Sequence, residues 1–409
     1  MQDKEFYQQI LGLESPWFVS EVSLDTDGEQ VDIHVAHPEG TKFCCPECER
    51  SLACYDHASP RGWRHLDTMQ FKTVLHAAVP RVKCPEHGVK QVRIPWAEPG
   101  SRFTLLFERF AIDVLLATQN VKGARSILRT GWEQTWNIVR RAVERGKLRK
   151  QELPTPRLGI DEKSFAKGQS YFTLLYDLDR STVEVISEGH DTQAADACFS
   201  ELSPSQIDSI EAIAMDMSAA YVKSAKANIP LAEQKIVHDR FHVMKLATEA
   251  VDKVRRQEHR QLKKDDDHRL TGTKFLWIKS QENLTDKQST WFDEVFTQQL
   301  QTGKAWAYKE MLRDLWHHET ATEATAYFKD WYRSIIHTKL VPMKKVARTI
   351  KERLANVVSY CTHGITNAVA EGINSKIQAI KRRVGGYRNK ENYKTAIFFY
   401  CGGLQLYPH

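Results

Sequence analysis

Two short knuckles, Cys45-Pro46-Glu47-Cys48 and Cys84-Pro85-Glu86-His87, constrain this chain more than any other feature of its sequence. Each presents two soft ligands from one tight turn, and Zn²⁺ takes four N or S ligands in a tetrahedron. The matched knuckles therefore predict a structural zinc held by Cys45, Cys48, Cys84 and His87. Two unrelated thiol pairs are the competing reading, and it leaves the repeated spacing unexplained. Cys44 and Cys54 are candidate substitutes, while His57, His65 and His76 read as ordinary neighbours. Between the knuckles, apolar and polar residues alternate with β-branched and aromatic members, as in strands. Cys44, Cys45, Cys48, Cys54 and Cys84 cluster in the first quarter while Cys198, Cys361 and Cys401 are scattered singly, and such clustering with no evident signal peptide points to metal rather than a disulfide framework. An N-terminal zinc-binding domain is expected over 1–98.

From Phe103 the apolar period becomes helical. "FTLLFERFAIDVLLATQ", "VKGARSILRT" and "WEQTWNIVRRAVERGKLRK" read as helices, with Thr130-Gly131 as a turn before the last. A short turn containing Gly between two helices is the pattern of a helix-turn-helix, expected over 99–152. The long third helix then offers Trp132, Gln134, Thr135, Asn137, Arg140 and Arg141 to a DNA groove. An all-helical linker bundle is the alternative. Net charge is +6, and basic residues cluster at 140–150, 252–264 and 381–390. This balance permits nucleic-acid binding without requiring it.

After Pro154 and Pro156 the pattern is mixed α/β. Strand-like runs at 157–166, 170–178 and 182–187 precede a helix, and a further apolar run, "IDSIEAIAMD", ends at Asp216. Asp161 and Asp216 thus stand at strand ends, where carboxylates can converge without being buried in a core. The C-terminal helix supplies a third acid. Val369, Ile373, Ile377 and Ile380 form its apolar stripe, while Glu371 shares the opposite face with Asn367, Asn374, Gln378 and Lys381. Three such acids can hold two Mg²⁺ ions for phosphodiester chemistry. By spacing alone, three unrelated acids drawn from 52 Asp and Glu fit as well.

The order β-β-β-α-β-α-β, with Asp161 on the first strand and Asp216 after the fourth, resembles the RNase H-like, retroviral-integrase-like fold of DDE transposases. More narrowly, "GIDEKSF", "AMDMSAAY", "IVHDRFHV", "AEGINSKIQAIKRRVGGYRN" and the "CPEC…RVKCPEHG" head resemble the ISL3 family of insertion-sequence transposases, over essentially the whole chain. The resemblance implies a multidomain α/β chain: zinc module, helix-turn-helix and an RNase H-like core interrupted by an all-helical insertion. The first part of the core would occupy 153–250, the insertion 251–355, and the Glu371 helix with a basic tail 356–409. It also implies Asp161, Asp216 and Glu371 as the catalytic, Mg²⁺-binding triad, with Mn²⁺ as a substitute ion. His242 of Asp239-Arg240-Phe241-His242 would lie near the scissile phosphate. Related transposases often carry Lys seven residues after the Glu; this chain has Gln378, so Lys376 or Lys381 would take that contact. With Arg382, Arg383 and Arg388, these residues complete the expected DNA-binding set.

The function implied is a DNA transposase acting as a homodimer on the terminal inverted repeats of its element and on target DNA. A hydrolysis-only nuclease of the same fold and a DNA-binding regulator with an inactive core are the rivals. No run approaches the ~18 apolar residues of a membrane span. The start, MQDKEFYQQI, lacks the apolar core of a signal peptide. The expected location is the bacterial cytoplasm, with no membrane partner.

Overall fold

The computed structural model describes residues 3–165, 170–296 and 300–409. A first helix, α1 (Asp3–Ile10), precedes β1 (Phe18–Asp25), β2 (Gln30–Ala36), β3 (Lys42–Cys44) and β4 (Ser51–His57). After these come β5 (Arg61–Thr68), β6 (Phe71–Ala77), β7 (Pro80–Cys84) and β8 (Gly88–Gln91). The strands form one sheet of order β1-β2-β6-β5 and another of order β3-β4-β7-β8. The period-two pattern of β2 turns Val31, Ile33 and Val35 inward. They pack there with Trp63, Leu75 and Trp96.

Helices α2 (Leu105–Thr118), α3 (Val121–Leu128) and α4 (Trp132–Leu148) lie where the period changed. Thr104 and Asn120 cap the first two by accepting from the amides of Phe107 and Gly123. Buried Glu108 meets Arg145 at 2.7 Å, and Glu98 meets the same guanidinium at 2.6 Å. These helices share one apolar core with the elements that follow.

The third sheet contains β9 (Arg157–Ser164), β10 (Tyr171–Asp177), β11 (Thr182–Glu188), β12 (Ala212–Met215) and β13 (Ile236–His238). Its order is β11-β10-β9-β12-β13. The first three strands are antiparallel neighbours, and β12 and β13 add on parallel to β9. Helices α5 (Thr192–Ser200), α6 (Pro204–Ser209), α7 (Ala219–Asn228) and α8 (Ala232–Lys235) join these strands. One sheet face packs Leu158, Ile160 and Met215 with Phe199 and Tyr221; the other packs Leu174, Tyr176 and Ala214 with the C-terminal helices.

Helix α9 (Arg240–Lys264) starts directly after β13 and leads into α10 (Lys274–Ile278), α11 (Asp286–Phe296) and α12 (Gln301–Arg313). The series continues through α13 (Ala321–Ile336), α14 (Val341–Glu352), α15 (Leu354–Val358) and α16 (Tyr360–His363). These helices form a separate apolar core from Val243 to Val358. Trp277, Trp306, Trp316 and Trp331 are buried in it, whereas Trp291 is 40% exposed. The chain closes with α17 (Ala368–Arg383) and α18 (Lys390–Cys401). Among the described residues, no helix is long and apolar enough to cross a membrane.

Several expectations need correction. The strand expected at 157–166 ends at Ser164, and its last residue, 166, lies outside the described residues. "IDSIEAIAMD" is not one strand: Ser203 and Gln206 form a capping box that starts α6, leaving only four residues to β12. The helical unit begins with α9, before position 251, because one continuous helix crosses that boundary. The end of the chain is no basic tail, since α18 buries Tyr393, Ala396, Ile397 and Phe399. Its run AIFFYC is short and uniformly apolar, and periodicity alone cannot assign such a run.

Candidate active site and its supporting modules

Parallel pairing fixes where the acids fall. Met215 is in register with Ile160 on one side and with His238 on the other. The next residue on each chain is an acid, so Asp161, Asp216 and Asp239 stand in one row at the carboxyl ends of β12 and β13. Crevices at such strand ends are where open α/β sheets bind ligands. Ile160 points into the core with α5 and α7. Alternation along β9 therefore turns Asp161 to the opposite face, toward α17.

Helix α17 is tied to that row. The Asn374 amide donates to Asp161 Oδ2 at 2.8 Å, the Tyr176 hydroxyl donates to Asn374 Oδ1 at 2.9 Å, and Lys163 Nζ donates to the Asn374 carbonyl at 3.1 Å. Gly159 permits the close approach: a Cβ there would lie 2.9 Å from Leu178 and 3.2 Å from Asn367 Oδ1. Asn374 and Asn367 are both buried, so they do not share the exposed face of Glu371, contrary to the helical-wheel expectation. The core stripe of α17 is wide enough to include Asn374 beside Ile373 and Ile377.

The charges report who faces whom. Burial pushes the Asp161 carboxyl up to about 6; the Glu162 amide opposes this, Asp216 adds to it and His242 opposes it. Burial also raises Glu371, with Asp239 adding to the shift and His242 again opposing it. His242 is thus the common electrostatic neighbour of Asp161 and Glu371. Asp239 is raised by burial as well, against the Phe241 amide and His242. Its Oδ1 accepts from the Phe241 amide at 3.2 Å and caps α9, while its Oδ2 is buried without a hydrogen-bond partner among the described residues. Asp216 Oδ1 accepts from the Ser218 amide at 2.8 Å. Burial holds the His238 imidazole down to about 4, and its Nδ1 donates to the Asp216 carbonyl. Among the described residues, Asp161, Asp216 and Glu371 do not gather their oxygens within 4.8 Å as a set. Asp177 does other work, accepting from the amides of Asp179 and Arg180 to close the β10–β11 turn.

The knuckle residues do gather. Cys45, Cys48, Cys84 and His87 place one ligand atom each within 4.8 Å of all the others. Cys48 Sγ and Cys84 Sγ are 3.7 Å apart, against about 3.8 Å for the edge of a tetrahedron with Zn–S bonds of ~2.3 Å. Burial raises the Cys84 thiol, but the amides of Glu86 and His87 and the His87 ring outweigh it and bring it down to about 6. That favours the thiolate a metal requires. Cys44 is exposed and outside this set.

The expected DNA-binding residues divide. Thr135 is fully buried, its hydroxyl 2.7 Å from that of Thr130, so it offers no surface to a groove. Arg141 turns inward to Glu98 at 3.0 Å, and Gln134 Oε1 accepts from the Gly131 amide at the start of the helix. Trp132, Gln134, Asn137 and Arg140 all lie on the exposed side of α4. On α17, Lys376 and Arg382 are exposed, as is Arg388 beyond it, while Gln378 is partly buried. Lys381 donates to the Ser164 carbonyl, and Arg383 donates to Gln119 Oε1 at the end of α2. Arg383 thus links α17 to the helical triplet.

Comparison with known proteins matches three parts of the chain. A transposase family model of the ISL3 type matches residues 158–397. A model for the zinc-finger of transposase IS204/IS1001/IS1096/IS1165 matches 41–87, and one for the helix-turn-helix domain of transposase family ISL3 matches 92–143. The chain is 27% identical to the transposase for insertion sequence element IS1001 of Bordetella parapertussis, covering 96% of this chain and 97% of that protein. It is 24% identical to the transposase for IS1557 of Mycobacterium tuberculosis, covering 96% and 94%. The zinc-finger match and the four converging ligands together support a structural zinc, and the helix-turn-helix match supports DNA binding.

Proposed function

Because this chain belongs to the ISL3 family of transposases, we propose that it binds the terminal inverted repeats of its insertion sequence and catalyses Mg²⁺-dependent cleavage and strand transfer there. The row of Asp161, Asp216 and Asp239, with Glu371 electrically coupled to it, carries this reading. The sheet order, three antiparallel strands extended by two parallel ones, supports an RNase H-like core, and α9 to α16 would be its all-helical insertion.

Asp161, Asp216 and Glu371 would hold the two ions, with Mn²⁺ able to replace Mg²⁺. An all-oxygen donor set suits a hard cation. Burial raises Asp161, and Asp239 Oδ2 is buried without a hydrogen-bond partner among the described residues, so a cation here would offset the cost of keeping these carboxylates ionised. When bound, the ions polarise the phosphodiester and favour ionisation of the attacking oxygen. Asn374 orients Asp161 by hydrogen bonding. Loading of the site would favour the ionised form of Asp161, its proton passing to solvent, and His242, the common neighbour of Asp161 and Glu371, would face the phosphate.

Cys45, Cys48, Cys84 and His87 would hold the structural zinc. Asn137 and Arg140 on α4, with Lys376, Arg382 and Arg388 near the acids, would contact double-stranded DNA at the inverted repeats and the target. Two ends must be joined together, so a homodimer assembles on the DNA, in the bacterial cytoplasm.

Purified protein incubated with a plasmid carrying both element ends tests the proposal. Cleaved and joined products with Mg²⁺ and none with EDTA are expected. Cleavage without joining would indicate a nuclease, and binding alone a regulator.

A further inference from the structure

A second group of metal-type ligands lies in the N-terminal module, apart from the four knuckle residues. His37, Cys54 and His57 place one ligand atom each within 4.8 Å of one another. His37 follows β2 of one sheet; Cys54 and His57 stand on β4 of the other. The group therefore spans the seam between the two sheets.

The ring chemistry suits a metal. His37 Nδ1 lies 2.9 Å from the Pro38 carbonyl, which can only accept, so Nδ1 carries the proton and Nε2 keeps its lone pair. That lone pair faces His57 Nε2 at 2.8 Å, and His57 Nε2 is 3.9 Å from Cys54 Sγ. A backbone carbonyl that fixes the tautomer is the usual support of a metal-bound histidine. The His37 ring is also set in place by edge contacts with Trp17 and Phe43, at 5.7 and 4.9 Å between centroids. His57 is exposed, so solvent can reach the remaining position.

We propose that His37, Cys54 and His57 form a second site for a divalent transition metal, zinc foremost, with water as fourth ligand, clipping the two N-terminal sheets together. Two imidazoles and one thiolate are borderline-soft donors that suit zinc over Mg²⁺ or Ca²⁺. Entry of the ion parts the two imidazole nitrogens to about 3.3 Å, the edge of a tetrahedron with ~2.0 Å bonds. The bonds formed are two N–metal and one S–metal. The Cys54 S–H bond breaks, its proton passes to solvent, and the six-coordinate aqua ion sheds five waters, keeping one as the fourth ligand.

The test is a zinc count by elemental mass spectrometry on full-length protein equilibrated with a zinc buffer, with circular dichroism to verify folding. Two equivalents are expected in the wild type, and one in His57→Gln and His37→Ala. Cobalt(II) provides a second readout, since the knuckle site contributes three thiolates to the charge-transfer absorbance and the second site one, so its loss lowers the intensity by about a quarter. Should His37→Ala fail to fold, the exposed His57→Gln carries the test. One equivalent in the wild type, or two retained in His57→Gln, would overturn the assignment.

Discussion

Asn374 of α17 donates a 2.8 Å hydrogen bond to Asp161 of β9, and its other side-chain atom accepts from Tyr176 at 2.9 Å. One buried amide thus joins the helix that carries Glu371 to the strand that carries Asp161. The relative placement of the two acids depends on this bridge. Asn374→Ala is expected to lower cleavage roughly 10- to 100-fold, as when a group supporting a metal ligand is lost. It would also cost about 1–3 kcal/mol in thermal unfolding, because the Tyr176 hydroxyl loses its buried partner. Cleavage rates at equal end-binding occupancy, together with melting curves, check both effects.

Acidity at Asp161 sets a pH dependence. Its folded-state value, about 6, lies above the ordinary 3.8. The stability it contributes to the metal-free protein is therefore present below pH 4 and lost as pH rises through 6, by roughly 3 kcal/mol at most. Asp161→Asn should flatten the fall in melting temperature between about pH 4 and 6. Mg²⁺ should restore stability to the wild type but not to the variant, and its apparent affinity should rise across the same interval.

Zinc removal should act locally. The N-terminal apolar core is separate from those of the five-stranded sheet and the helical unit. Structural zinc in small modules supplies on the order of 10 kcal/mol. Cys48→Ser, or chelation, should therefore expose residues 1–98 to protease while the remainder resists. Limited proteolysis followed by mass analysis reads this directly.

Two neighbours on α4 should behave in opposite ways. Arg140 is exposed, so Arg140→Ala should weaken end binding and reduce the salt slope by about one unit, with little change in stability. Thr135 is buried and bonded to Thr130, so Thr135→Val should cost about 1–3 kcal/mol and leave the salt slope unchanged.

Some of this architecture was legible in the sequence because it is written in local spacing. The knuckles announce themselves in four-residue units, and Asp216 directly follows the apolar run of β12, whereas Asp161 lies inside β9 and not at its end, because pairing with β10 continues to Ser164. The bridge from Asn374 to Asp161 spans 213 residues and depends on how far around α17 the core extends, which no helical wheel fixes. Thr135 and Arg141 looked available because α4 is polar along much of its length, yet Glu98, before the helical triplet, draws Arg141 inward. The pairing of His37 with His57 needs the two sheets to meet, a tertiary event invisible to a spacing rule.

Strand joining on pre-cleaved end DNA tests the central claim most directly, comparing wild type with Asp161→Asn, Asp216→Asn and Glu371→Gln at equal DNA occupancy. Each of the three should lose more than about a hundredfold in joining rate while binding the ends normally. Joining at the wild-type rate by any one of them would contradict a shared metal centre built from these acids.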